Sequence, residues 1–169
     1  GVVETEYTTL HFSARAEQEA ELLKEIVYGR RADGVIAINM RTEKDTLQAY
    51  KDTGLPIVFV EETFEGFSGV KGDSFKGAYK AAERLIKTGK KNIGLISAVY
   101  THLSCVTDRD KGFIKALNDN GLVYDEKNTL RSATYNFQEG QDLIDKIINE
   151  KMKLDAVFCS AGDLVAMGM

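Results

Sequence analysis

The sequence is poor in the residues that most restrict a chain: no tryptophan, one proline, two cysteines and two histidines in 169 residues. A single proline and 15 scattered glycines exclude collagen-like, mucin-like and low-complexity architectures. Cys105 and Cys159 stand too far apart for a CxxC redox or zinc site. Two reduced, buried thiols are the expected state, with a disulfide between them as the alternative. His11 and His102 form no i, i+4 metal pair, and no cofactor is expected. Long apolar runs are also missing. The longest, Ile93 to Val99, has seven residues, against the roughly 20 that a membrane helix needs, so no membrane partner is expected. Gly1 to Glu6 has no basic n-region, apolar stretch or small-residue cleavage site, so no secretory signal is expected either. An excess of cations is absent too. Twenty-two Lys and Arg against 26 Asp and Glu leave a net charge of −4, which argues against this stretch gripping nucleic acid by itself.

What is present is the composition of a globular chain, with 43% apolar and 28% charged residues. Four short apolar runs dominate: Gly34 to Ile38, Pro56 to Val60, Asn92 to Ile96 and Asp155 to Cys159. They are continuous rather than alternating, as strands covered on both faces of a parallel sheet are. Helical periodicity fills the intervals, over Ala16 to Tyr28, Asp45 to Asp52, Phe75 to Thr88, Asp110 to Asn120 and Gln138 to Lys151. Gly54, Gly89 and Gly121 close three of these. Further strands are predicted at Val2 to Thr9, Gly69 to Lys71 and Leu130 to Tyr135. Alternating strands and helices predict an α/β fold of right-handed crossovers. The stretch Glu21 to Ile36 echoes Asp142 to Phe158 (helix, short link, Asp, buried strand). The echo suggests two similar lobes joined around Val70 to Ser74, one over 1–71 and one over 72–169.

No catalytic motif is legible. Gly72-Asp73-Ser74-Phe75-Lys76-Gly77 has the glycine spacing of a P-loop, but Ala78-Tyr79 stand where Lys and Ser/Thr are required. GxGxxG and GxSxG are missing, so an enzyme such as a nucleotide-dependent transferase is a distant third reading. Open α/β sheets bind ligands beyond the carboxyl ends of their strands. Those positions here are Asn39, Glu61 and Glu62, Ser97, and Ser160 to Asp163, with Arg109 near the third strand. Amides, hydroxyls, a carboxylate and a guanidinium suit a polyhydroxylated ligand, whose hydroxyls must each be paired when desolvated. Phe64, Phe67 and Tyr100 could stack on the apolar face of a sugar ring. Each has a plainer reading: Glu61 as a solvated loop carboxylate, Arg109 as a surface partner of Asp108 or Asp110, Phe64 as core, and His102 as an exposed loop residue.

A set of motifs carries a resemblance. It comprises Arg31-Ala32-Asp33-Gly34-Val35-Ile36, Gly54-Leu55-Pro56-Ile57-Val58-Phe59-Val60, Gly72-Asp73-Ser74 with Gly77, and Ile93-Gly94-Leu95-Ile96. It continues with Asp108-Arg109-Asp110-Lys111-Gly112-Phe113 and with Asp155 to Phe158 leading to Asp163-Leu164-Val165-Ala166-Met167-Gly168. In this order, from about Glu17 to Met169, the set resembles the effector-binding core of LacI/GalR-type transcriptional regulators, shared with periplasmic sugar-binding proteins. The resemblance implies a periplasmic-binding-protein-like fold of two doubly wound parallel-sheet lobes with a sugar-like effector between them. It also implies a cytoplasmic homodimer that meets DNA only through a separate helix-turn-helix headpiece. The alternative is the solute-binding protein of a sugar ABC transporter. Arg109 is implied to grip ligand hydroxyls or a carboxylate, and Glu61 to be a contact at its strand end. Asp73 is placed at the lobe crossover, and Asp163 at the opening of the helix after the last strand. Two positions depart from the family pattern. Gly162 stands where a ligand-contacting Asn is frequent, and Lys90 where His is common. The family core also begins before the region matched by Val2 to Thr9 and continues past Gly168, so the lobes are expected to be truncated.

Overall fold

A computed structural model describes residues 8–14, 18–40, 42–99 and 103–169, and among these residues six α-helices and six strands alternate except where the second and third strands follow one another directly. The chain divides into two units, Gly1–Lys71 and Gly72–Met169, each with its own parallel sheet.

In the first unit, β1 (Val35–Ile38), β2 (Ile57–Val60) and β3 (Ser68–Val70) pair in that order, all parallel. The helices α1 (Glu19–Gly29) and α2 (Lys44–Thr53) bring Leu23, Val27, Ala49 and Tyr50 against Ala37, Ile57 and Phe59. Tyr50 is 2% exposed, and its hydroxyl donates to the Leu23 carbonyl at 3.1 Å, so the one polar atom of this buried ring is satisfied across the helix pair. Phe59 sits at the centre of an aromatic cluster, with Phe64 and Phe67 edge-on at 4.6 and 5.8 Å. The opposite sheet face differs from the expectation of double coverage. Among the described residues nothing covers it, and Ile36, Ile38, Val58 and Val70 are exposed. The reason is geometric: both helices pack on the face that carries Ala37 and Phe59, and neighbouring strand residues point to opposite faces.

In the second unit, the order is β5 (Thr129–Ser132), β4 (Ile93–Ala98), β6 (Ala156–Cys159), again all parallel. Here both faces are covered. Ile93 and Leu95 meet Ala82, Phe113 and Leu117 of α3 (Ser74–Lys87) and α4 (Ser104–Asp119). Ile96 and Ala98 meet Ile147 and Val165 of α5 (Phe137–Asn149) and α6 (Asp163–Gly168). Consequently every residue of β4 is buried, as its continuous apolar run predicts. The helix pairs touch at glycines. A Cβ on Gly112 would lie 2.2 Å from the Phe75 carbonyl oxygen, so only glycine permits α3 and α4 to cross there. Asp155 pins the start of β6 to β4 by accepting from the Lys91 and Asn92 amides at 2.9 and 3.1 Å.

Most predicted elements shift by only a few residues. The exception is α4, which begins at Ser104 rather than Asp110. Cys105 and Val106 are buried and continue the stripe of Phe113, Ala116 and Leu117 backwards, but the polar residues around them hide it in the sequence. The predicted strand Val2 to Thr9 falls mainly outside the described residues, as do Ala16, Glu17, Tyr100 and His102. Cys105 and Cys159 form no disulfide; Cys105 is buried, whereas Cys159 is only partly so, and burial pushes the Cys159 thiol upward in pKa.

Candidate functional site

The polar residues beyond the strands are distributed over both units. In the first unit, Asn39 and Glu61 each follow a strand directly and adopt left-handed backbone, with φ of 51° and 68°. Their amides continue the ladder, Asn39 to the Val60 carbonyl at 3.0 Å and Glu61 to the Val70 carbonyl at 2.8 Å. The backbone is therefore held in a conformation that costs an ordinary L-residue about 1–2 kcal/mol. Such strain is characteristic of positions where the direction of a side chain matters. Phe64 is a packing residue of the Phe59 cluster.

In the second unit, several residues converge on the loop after β6. Arg109, in the second turn of α4, donates from Nη1 to the Ser160 carbonyl at 3.2 Å. This leaves the rest of its planar donor fork for other partners. Asp110, next to it, accepts from the Ser160 hydroxyl at 2.7 Å on Oδ1 and from the Ser97 hydroxyl at 2.6 Å on Oδ2. Ser97 is fully buried, so its hydroxyl serves this network. Arg131, opposite Ser97 in the β4–β5 register, reaches the Ser97 oxygen at 3.3 Å and the Asp110 carboxylate at 3.6 Å. The ends of three strands and one helix thus share a single carboxylate.

Sequence reasoning missed Tyr135. It lies three residues beyond β5 with φ of 55°, and its ring rests on Gly162. A Cβ on Gly162 would come within 2.7 Å of Tyr135 Cε1, and Gly162 itself has φ of 147°. Gly162 thus presents no side chain where the Tyr135 ring fills the space. Gly162 stands out in the sequence, but its pairing with Tyr135 does not, because the two residues are far apart and only folding brings them together. Asp163 opens α6 and is exposed, with Oδ1 accepting from the Leu164 amide. Asp73 caps α3, accepting from the Lys76 amide at 2.9 Å. Tyr100 lies outside the described residues.

The loop from β5 into α5 adds one more feature. The Glu139 carboxylate accepts from the Ala133 amide at 2.6 Å, the Ser132 hydroxyl at 2.5 Å, and the Thr134 amide and hydroxyl at 2.9 and 2.8 Å. Partial burial alone would push this carboxyl up, but the four donors outweigh it and hold it at about 2. Among the described residues no group of three or more His, Cys, Asp or Glu is arranged to hold a metal ion, and no helix is long and apolar enough to cross a membrane.

Residues 3–169 match the family described as periplasmic binding proteins and sugar binding domain of LacI family. The chain belongs to this family. Among curated relatives of this LacI-family chain, the HTH-type transcriptional repressor PurR of Pasteurella multocida is 28% identical over 163 residues, covering 93% of this chain and 48% of that protein. The HTH-type transcriptional regulator CelR of Thermobifida fusca is 28% identical over 160 residues, or 92% of this chain and 46% of that protein. The chain therefore spans about half the length of the curated relatives it matches. Among solved structures, transcription regulator GntR from Chromobacterium violaceum superposes with a TM-score of 0.77 at 25% identity, over 90% of this chain and 55% of that one. A LacI family transcriptional regulator from Enterococcus faecium with bound ribose gives 0.68 at 26% identity, over 90% and 55%.

Proposed function

We propose that this chain is the effector-sensing core of a cytoplasmic LacI-family transcriptional regulator. It binds a small sugar-like molecule and, as a homodimer, passes that event to a separate DNA-binding headpiece. The observation that carries the reading is the convergence of Arg109 and Tyr135 on the loop from Ser160 to Gly162. A guanidinium fork supplies oriented donors for hydroxyl oxygens, and an aromatic ring supplies a face for the C–H side of a sugar. Asp163 adds an acceptor in the second unit; within the first unit, Asn39 and Glu61 are separate candidate contacts on strained backbone at the strand ends. Ser97 acts through Asp110, Asp73 caps α3, Phe64 packs on Phe59 within the first unit, and Tyr100 is a second aromatic candidate. The ribose held by the Enterococcus relative supports the ligand class. Signalling follows if the effector binds one arrangement of the regulator more tightly than another.

The test is a thermal-shift screen of mono- and disaccharides, nucleosides and sugar phosphates on the full-length protein. A ligand at a hundred times its Kd stabilises by about 2.7 kcal/mol. Arg109→Ala should abolish that shift while moving the ligand-free melting temperature little, because only one charge-assisted hydrogen bond to Ser160 is lost. An equal shift in both proteins would remove Arg109 from the site.

A further inference from the structure

We infer that this site selects an uncharged polyhydroxylated effector and rejects phosphorylated or carboxylated ones, because the chain's own carboxylates already occupy the other anion receptors near Arg109 and leave a surplus of negative charge around it. The inference rests on the effector-binding reading above and narrows its ligand class.

An anionic group entering at the strand ends of the second unit has two natural receptors besides Arg109. One is the guanidinium of Arg131, which projects from β5 beside Ser97. It is taken on one side by Asp110 at 3.6 Å and on the other by Glu126 at 3.3 Å. The other is the pair of amides at Ala133 and Thr134 before α5, with the hydroxyls of Ser132 and Thr134 beside them. Successive N–H groups of this kind form a nest that binds phosphate or carboxylate oxygens. Here the nest is filled by the Glu139 carboxylate. Both receptors stand at the end of β5, where Arg131 and Ser132 are consecutive and turn to opposite faces of the sheet, Arg131 toward Asp110 of α4 and Ser132 toward Glu139 of α5.

Charge adds to occupancy. The groups described around this edge are Arg109 and Arg131 against Asp110, Glu126, Glu139 and Asp163, a surplus of two negative charges. Asp110 stands between the two guanidinium groups. It faces Arg131 directly and Arg109 through Ser160, whose hydroxyl it holds and whose carbonyl Arg109 holds. Its side chain is 16% exposed, so its field is screened less than that of a surface carboxylate. Arg109 keeps donors for neutral hydroxyls, but a phosphate approaching it meets Asp110 and Asp163 as well.

The experiment compares matched pairs on the full-length protein by titration calorimetry: D-ribose with ribose 5-phosphate, D-glucose with glucose 6-phosphate, and D-fructose with fructose 1-phosphate. Inorganic phosphate alone is a further probe. Wild type should bind the neutral member of its preferred pair at least about tenfold more tightly than the phosphorylated one, with no measurable binding of inorganic phosphate. Asp110→Asn keeps the shape and an acceptor for Ser160 while removing the charge. It should narrow the ratio about tenfold and bring in phosphate binding that weakens with added salt. Glu139→Gln should do the same at the neighbouring nest. Tighter binding of the phosphorylated member by wild type overturns the inference without any variant. So does an unchanged ratio in two folded variants. If wild type binds no carbohydrate of either kind, the effector reading fails. The inference then stands or falls on phosphate alone, which the variants must bind and wild type must not.

Discussion

At the scale of single residues, three positions after strands stand out by backbone conformation rather than by residue type. Asn39, Glu61 and Tyr135 all have positive φ, and all stand just beyond a strand. Asn tolerates this region, whereas Glu and Tyr gain nothing from it locally. Replacing Glu61 by glycine relieves strain of about 1 kcal/mol but adds chain entropy of about 0.5–1 kcal/mol to the unfolded state. Glu61→Gly should therefore leave chemical-denaturation stability within about 0.5 kcal/mol while shrinking the effector-induced thermal shift. A β-branched residue should not be neutral, and Glu61→Val is expected to lose about 1–2 kcal/mol. Gly162 is the mirror case. Gly162→Ala places a methyl group against the Tyr135 ring and an L-residue at φ of 147°, so a loss of about 1–3 kcal/mol is expected. Combining it with Tyr135→Ala should recover the steric part alone, and fully additive losses in urea melts would mean that the ring and Gly162 do not meet.

At the scale of elements, the β5–α5 connection is built around Glu139. Asn136 caps α5 by accepting from the Glu139 amide at 2.8 Å, and the Glu139 carboxylate gathers the turn before it. The carboxyl titrates at about 2 in the folded chain against an ordinary 4.5. Depression of a carboxylate contributes stability that is fully present above pH 4.5 and lost as pH falls through about 2. Glu139→Gln should therefore be less stable than wild type at pH 7, with the two stability curves converging between pH 4.5 and 2. Parallel curves from melts across that range would show that the turn donors do not favour the ionised form. The strands and most helix bodies were legible because their apolar runs and 3.6-residue stripes survive in sequence, and so was the place of Arg109 after the Ile93 to Ile96 run, on what proves to be α4. The early start of α4, the Tyr135 and Gly162 pair and the carboxylate at the nest were not. The α4 start and the Glu139 carboxylate lie among polar residues that no local pattern distinguishes from loop, and the Tyr135 and Gly162 pair meets only in the fold.

At the scale of the molecule, the two units handle their sheets differently, and the difference is measurable. The second unit encloses β4 between two helix pairs. The first leaves Ile36, Ile38, Val58 and Val70 exposed, with Ile36 at 70% and Val70 at 66%, on one face of three paired strands. A contiguous apolar face on a parallel sheet is one that folding normally covers, because it binds other surfaces wherever it stays open. The 169-residue chain by itself should therefore bind 8-anilinonaphthalene-1-sulfonate under native conditions and sediment as concentration-dependent associated species. Ile36→Thr with Val70→Thr retains β-branched strand formers while removing apolar area from that face. Since both side chains are already largely in water, the double variant should change unfolding free energy by less than about 1 kcal/mol. It should nevertheless lower dye fluorescence and move the sedimentation profile toward monomer. The same dye response in the variant would locate the accessible apolar surface elsewhere, on the second unit, where Phe137, Leu164 and Met167 are the exposed alternatives.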